Sequence, residues 1–256
     1  MGAANGSADR ARRQGWRLSL LNGWRLSRDG TRAFVPMSAQ RLVALVAVTG
    51  SQARAYVAGT LWPEQPEHRA HGSLRSTLWR LPGACQEVLD VEAGSIALRP
   101  EVSLDVAEFV ECARAVLRRE PVPVEESSRL LAEAGDLLPG WYEEWVLLER
   151  ERLRQLRIHA LEGLANAEAG AGNYASALEI ALAAVKMEPR RESANRLVVR
   201  IHLAEGNGVE AVRHYERYRE LMLDDLGVEP SEQMLSLVRP FVPGNRGRRA
   251  AFEGHG

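Results

Sequence analysis

Two stretches of the sequence repeat one another at a displacement of 34 residues. Gly172-Asn173, Ala177 and Ala181 recur as Gly206-Asn207, Ala211 and Tyr215, and Leu164 and Val198 obey the same shift. A period of this length is filled by two antiparallel helices, with small residues at each turn that let the helices approach. Two copies are too few for a free-standing solenoid, so preceding helices must complete the stack. Asp105 can cap one, in which Val106, Phe109, Val110, Ala113, Val116 and Leu117 recur at helical spacing before Pro121-Val122-Pro123 ends it. Further helices are expected at about 125–135, 143–170, 174–188, 192–205, 208–225 and 231–239. Trp141 and Trp145 are expected to pack the first helical layer.

Ahead of Asp105 the texture differs. From Trp16 to Pro36 short segments alternate apolar and polar residues, with turn signals at Asn22-Gly23 and Asp29-Gly30, which reads as a three-stranded antiparallel sheet. Ser38 is the expected N-cap of a helix whose Leu42, Leu45, Val46 and Thr49 form one stripe ending at Gly50. A second helix is expected over Ala53–Trp62, with Val57 and Leu61 inward. PEQPE is then a tight connection to a third helix, from about Glu67 to Leu81, stopped by Pro82-Gly83. Val88–Val91 and Ile96–Leu98 flank Glu92-Ala93-Gly94-Ser95 as a short hairpin. The order is sheet, three helices, hairpin, then helices alone. The boundaries that follow are a disordered basic arm at 1–15, a first domain at 16–100, an all-α tetratricopeptide-like domain at 101–240 and a flexible tail at 241–256.

The net charge of −1 over 256 residues conceals a division. Residues 1–83 hold twelve arginines against four acids, a net of +8, and the remainder is −9. A basic front half points to a polyanion as its partner. Two cysteines, Cys85 and Cys112, cannot build a disulfide framework or a four-thiolate zinc site, so a reducing cytoplasm is expected. No apolar run approaches the ~20 residues of a membrane span, and the N-terminus lacks the apolar run of a secretory signal, so no membrane partner is expected. The one lysine, Lys186, follows Val185 rather than a glycine-rich loop, and there is no G-x-S-x-G, HExxH or CxxC. His68 and His71 start a helix without further ligands nearby, and the paired carboxylates Glu143-Glu144 and Asp224-Asp225 read as solvated helix faces. Enzymatic function is disfavoured, and no cofactor or metal is expected.

The third helix is the most informative element. On a helical wheel Ala70, Leu78 and Leu81 gather around Leu74 as an apolar stripe. The opposite face carries Arg69, Gly72, Ser73, Ser76 and Arg80, with Arg75 and Trp79 on one flank and His71 and Thr77 near the edges of the stripe. Guanidinium groups suit phosphates or guanine edges, hydroxyls suit either, and glycine allows close backbone approach. Third place in a helix–helix–helix–hairpin order, inside a basic domain, describes a winged helix-turn-helix whose third helix enters the major groove. The candidate DNA-binding residues are therefore Arg54, Arg69, His71, Ser73, Arg75, Ser76, Thr77 and Arg80, with Arg54 either a phosphate clamp or a plain surface charge.

The front half, through GWRLSRDGTRAFVPMSAQRLVALVAVTG and LWPEQPEHRAHGSLRSTLWRL, resembles the winged helix of response-regulator output domains that open with an N-terminal sheet. The rear half resembles the bacterial transcriptional activator domain, through LLPGWYEEWVLLERERLRQLRIHALEGLA, YASALEIALAAVKMEPRRESANRLVVRIHLAEGN and EAVRHYERYRELMLDDLGVEPS. In this order they resemble the Streptomyces antibiotic regulatory protein family over about residues 16–240. The implied fold class is mainly α with a small β component: an N-terminal winged helix-turn-helix of response-regulator output type, then an all-α tetratricopeptide-like domain. The implied function is a cytoplasmic, nucleoid-associated transcriptional activator that binds tandem direct repeats in double-stranded promoter DNA and recruits RNA polymerase holoenzyme, for a secondary-metabolite gene cluster. Self-association on the tandem repeats is implied, and the loop between Trp62 and Glu67 is the implied polymerase contact. Many members carry Arg, Thr, Gln and Arg where this chain has His71, Ser73, Arg75 and Arg80, so base preference does not transfer. Larger relatives continue into a nucleotide-binding ATPase module, and no ATP dependence is expected here. The alternative function is a helical-repeat interaction scaffold with a basic adaptor domain, in which Tyr174, Tyr215 and Tyr218 line a concave surface; inter-helix packing is the preferred reading of those tyrosines.

Overall fold

The computed structural model describes residues 15–241, so the expected arm at 1–15 and tail at 241–256 fall, apart from Gly15 and Phe241, outside the described residues. Two compact units emerge. One runs to Glu111 and takes in Ala134–Arg154; the other holds Cys112–Glu133 and everything from Gln155 onward.

The first unit opens on an antiparallel meander, β1 (Trp16–Ser19), β2 (Arg25–Arg28) and β3 (Thr31–Arg32). Leu18 pairs with Leu26, both buried, while Arg17 and Arg25 point outward, as a half-buried sheet requires. Asp29 and Gly30 both take positive φ (50° and 84°), the combination that a two-residue hairpin turn demands. Helix α1 (Met37–Thr49) follows. It buries Leu42, Val43, Ala44, Leu45 and Val46 completely, a wider face than the expected stripe. Ser38 is not its N-cap. Pro36 stands at that position, and its carbonyl accepts the N–H groups of Ala39 and Gln40 at 3.0 and 2.9 Å, which puts Ser38 inside the first turn.

Helices α2 (Arg54–Leu61) and α3 (Glu67–Trp79) come next. α3 stops two residues before the expected Leu81, because Pro82 ends the helix and instead starts a short α4 (Gly83–Val88) that the sequence pattern did not reveal. The hairpin is β5 (Leu89–Val91) and β6 (Ser95–Leu98), and a two-residue strand β4 (Gln52–Ala53) pairs with β6 to give the order β4-β6-β5.

This unit does not close at residue 100. Strand β7 (Ser103–Leu104) lies parallel to β1, giving the sheet order β3-β2-β1-β7. Asp105, the first residue of α5 (Asp105–Leu117), accepts N–H bonds from Leu20 at 3.0 Å, Leu21 at 3.1 Å and Val106 at 2.8 Å, so it caps the β1–β2 turn as well as its own helix. Burial raises the Asp105 carboxyl pKa, against the opposing pull of those three N–H groups and Arg17. Leu137 bridges Leu21, and the Leu138 N–H donates to the Leu20 carbonyl at 2.9 Å. Arg150 then clamps the carbonyls of Leu137, Leu138 and Trp141, and Trp141 meets Trp145 edge-on at 6.5 Å. The expected boundary at 100/101 therefore differs from the compact division, for reasons of strand pairing and backbone satisfaction that span more than 80 residues of sequence.

The second unit contains α6 (Val124–Glu133), α8 (Tyr174–Met187), α9 (Glu192–Ala204), α10 (Gly208–Leu226), α11 (Glu232–Val238) and the later part of α7 (Glu144–Gly170). The 34-residue repeat is visible in the backbone. Gly172 and Gly206 have φ of 82° and 89°; Asn173 and Asn207, at the N-caps of α8 and α10, have φ/ψ of −83°/60° and −87°/59°. Asn173 N–H donates to the Glu168 carbonyl as Asn207 N–H donates to that of His202, at 2.9 and 2.8 Å. Ala177, Ala181, Ala211 and Tyr215 are all buried, so the repeat is a packing repeat. Tyr215 and Tyr218 belong to a core with Val199, Ala211, Met234 and Val238. Buried Asn195 ties the α8–α9 turn to α10: its amide donates to the carbonyls of Pro189 and Arg191, and its Oδ1 meets His214 Nε2 at 3.0 Å. Burial, with Arg217 and His202 nearby, lowers the His214 pKa to about 4.

Candidate nucleic-acid interface

α2 and α3 form a helix pair joined by the exposed residues Pro63–Pro66, with Gln65 N–H closing the turn on the Trp62 carbonyl at 3.1 Å. Each end of α2 is anchored. Arg54 N–H donates to the Gly94 carbonyl in the β5–β6 turn at 3.2 Å, and Arg41 Nη2 donates to the Leu61 carbonyl at 2.9 Å. Ala70 and Leu74, each 2 % exposed, press α3 onto this support. The opposite face of α3 is thereby presented outward on a fixed frame.

That face borders an open groove of about 830 Å³, lined on the α3 side by Arg69, Gly72, Ser73, Ser76, Thr77 and Arg80. Five of the eight candidate residues thus come together: Arg69, Ser73, Ser76, Thr77 and Arg80. Arg54, His71 and Arg75 are not among the groove's lining. Arg54 sits half-buried at the start of α2; His71 turns toward Glu67, with 3.8 Å between Nε2 and the carboxylate; Arg75 lies exposed beside Gly72. Among the described residues no cluster of three His, Cys, Asp or Glu side chains is arranged to hold a metal ion.

The groove's other wall is made by Pro36, Ser38 and Ala39 at the start of α1 and by Trp62, Glu64, Gln65 and Pro66. The α1 wall comes from some 30 residues upstream and carries no local sequence signal. Ser73 Oγ donates to Gln65 Oε1 at 2.9 Å and Thr77 Oγ1 to the Ser73 carbonyl at 3.0 Å, so both hydroxyl protons are engaged and each oxygen retains acceptor capacity.

Charge pairing separates the arginines of this unit. Arg17 is bound by Glu108, Arg28 by Glu87 and Arg41 by Glu143, at 2.9, 2.6 and 2.8 Å. No such ion pair is formed by Arg69, Arg75 or Arg80 among the described residues, nor by Arg25, Arg32, Arg54, Arg99 or Arg150, so α3 and its C-cap carry three of the guanidinium groups of this unit that no carboxylate holds. The one acid in the groove is Glu64.

Two features of α3 are unexplained by the fold. Gly72 has ordinary helical backbone, and a Cβ there would meet only Arg75 Nη2, at 3.9 Å. A mid-helix glycine costs about 1 kcal/mol relative to alanine, and no close contact within the fold requires its smallness. Trp79 is 84 % exposed, and the spacing of Gly72, Ser76 and Trp79 puts it on the outward stripe rather than on a flank. That spacing was readable in the sequence.

Comparison with known proteins speaks to the family and the fold. The family described as the bacterial transcriptional activator domain matches residues 104–240, more than half of the chain. The chain is 29 % identical over 243 residues to the regulatory protein AfsR of Streptomyces coelicolor and 27 % identical over 240 residues to the regulatory protein AfsR of Streptomyces griseus. Each alignment covers 88 % of this chain but 24 % of the relative, so the chain spans about a quarter of the length of these curated relatives. Among solved structures, Mycobacterium tuberculosis EmbR in complex with a low-affinity phosphopeptide matches with a TM-score of 0.63 and 20 % identity, over 88 % of this chain and 64 % of that one. The fold is thus mainly α with a small β component, a winged helix-turn-helix ahead of the activator domain, as the resemblance implied. The chain belongs to the bacterial transcriptional activator domain family, a family of transcription regulators, in the winged-helix-first order of the Streptomyces antibiotic regulatory proteins.

Proposed function

We propose that the chain is a sequence-specific activator that inserts α3 into the major groove of promoter DNA at tandem direct repeats and recruits RNA polymerase. The observation that carries this reading is the α3 face itself, where Arg69 and Arg80 flank Ser73, Ser76 and Thr77 in one groove with no carboxylate among the described residues paired to either arginine. Arginine forks fit phosphates and guanine edges, and hydroxyl acceptors fit the amino groups of adenine and cytosine. Arg75, exposed beside Gly72, is a further phosphate or base contact, whereas His71 and Arg54 serve at the margin. The exposed residues Glu64, Gln65 and Pro66 border the same groove, in a loop that suits being offered to polymerase alongside the DNA. A secondary-metabolite gene cluster as the target rests on the resemblance to the Streptomyces antibiotic regulatory proteins alone.

Two half-sites in the same orientation must lie about one helical turn apart for both protomers to share one DNA face. Selection of duplexes by the full chain, followed by footprinting, gives the repeat. Inserting about 5 bp between its halves should reduce cooperative binding by an order of magnitude or more, and about 10 bp should restore it. Binding that ignores spacing contradicts the tandem arrangement. The scaffold reading has less support, because Tyr215 and Tyr218 are core residues and line no surface.

A further inference from the structure

We propose that Trp79 is a base-reading residue that packs its indole against the C5-methyl group of thymine in the major groove. This rests on the reading of α3 as the DNA-entering helix, and it adds an apolar contact to the polar ones that Arg69, Ser73, Ser76 and Arg80 supply.

The starting point is an indole with nothing to do inside the protein. Trp16 donates its Nε1 proton to Glu87 and stacks under the Arg28 guanidinium at 5.7 Å, and Trp141 and Trp145 pack edge to face. Trp79 has no hydrogen-bond or ring partner among the described residues and is 84 % exposed. Single exposed apolar side chains are ordinary, and Phe34 is exposed to 89 %, so what singles out Trp79 is its position on the helix assigned to DNA. Its place is specific: Gly72, Ser76 and Trp79 form the stripe of α3 opposite the buried Ala70 and Leu74.

Helical rise separates Gly72 from Trp79 by about 10.5 Å along the axis, at ~1.5 Å per residue. This equals about three base-pair steps of ~3.4 Å. A notch at Gly72 lets backbone approach the base edges at one end of that span, and a bulky ring fills the groove at the other. In the major groove thymine alone carries a methyl group, and an apolar surface is what recognises it. Arginine and serine bind guanine, adenine or phosphate oxygens and cannot read a methyl.

The test uses the full chain and the duplex it selects. Each thymine of the site is replaced singly by deoxyuridine, which lacks only the methyl group. The wild type should lose about fourfold in affinity at one or two positions, the equilibrium value of one buried methyl-sized group. Trp79→Ala should bind the thymine and deoxyuridine duplexes equally at those positions, and Trp79→Phe should retain the preference. Because the side chain is exposed, the thermal midpoint of both variants should equal that of the wild type. A wild type indifferent to every replacement, a selected site without thymine, or a preference that survives in Trp79→Ala overturns the proposal while leaving the DNA-binding reading intact. Equal loss in Trp79→Phe and Trp79→Ala on both duplexes also overturns it, since the indole N–H would then be holding a phosphate. A selection that enriches no sequence contradicts the DNA-binding reading first, and this proposal with it.

Discussion

Asp105→Ala removes the carboxylate that joins the start of α5 to the β1–β2 turn. Three backbone N–H groups lose their acceptor: Leu20, Leu21 and Val106. An unmet buried donor costs ~1–3 kcal/mol, and the half-exposed setting favours the lower end, which gives about 3 kcal/mol in total. The carboxylate itself is held at a cost, since burial raises its pKa, and relief of that cost brings the expected loss to about 2–3 kcal/mol. Against a typical stability of ~5–15 kcal/mol this is a large fraction. Asp105→Asn keeps one acceptor oxygen and should lose about half as much. Urea unfolding followed by tryptophan fluorescence measures both, with Trp16 and Trp24 in the affected region. A fragment ending at residue 100 lacks β7, Asp105 and the partners of Leu20 and Leu21 beyond it, and should be less stable still. An Asp105→Ala variant within about 0.5 kcal/mol of the wild type would refute the cap as a structural tie.

Lowering the pH from about 6.5 to 5 should destabilise the second unit through His214. A base held near 4 in the native state leaves the unfolded chain binding more protons across that window, so stability falls as pH falls, by up to about 2 kcal/mol over these 1.5 units at ~1.36 kcal/mol each. His214→Gln should flatten this slope while keeping a hydrogen bond to Asn195, as urea titrations at several pH values will show. Gly172→Ala and Gly206→Ala should each cost about 1 kcal/mol and by nearly equal amounts, because both turns hold φ above 80°. Unequal costs would mean that the two turns are not structural equivalents.

What the sequence disclosed was local. The 34-residue shift returned as two turns with matching dihedrals, and the helices of the second unit lie within a few residues of their expected bounds, because periodicity and Gly-Asn turns are written in consecutive residues. The apolar stripe of α3 was equally legible from Ala70 and Leu74. What escaped was non-local or counter to local signals. β7 contributes two residues, too few for a periodic signal, and its pairing with β1 is fixed across 86 residues by Arg17 and Ser103. Arg150 looks like any helix arginine until its three carbonyl partners are seen. Ser38 had the right chemistry for a cap, but Pro36 set the helix start first. At the candidate interface, the sequence marked the α3 wall of the groove and missed the wall from Pro36, Ser38 and Ala39. It also grouped Arg54, His71 and Arg75 with residues whose groove they do not line.

The uncompensated arginines of α3 are the centre of the functional reading, and their partner is measurable through salt. Affinity of the full chain for its selected duplex, titrated across salt concentration, should give a slope of log K on log salt that falls in magnitude by ~0.9 for each arginine lost from a phosphate. Arg69→Ala and Arg80→Ala should each reduce the slope or, where the guanidinium holds a base, relax sequence preference at a cost of about 1–3 kcal/mol. Arg17→Ala, whose charge is already taken by Glu108, should leave the slope unchanged. Unaltered affinity, slope and sequence preference in the Arg69→Ala, Arg80→Ala double variant would contradict the assignment of α3 to DNA.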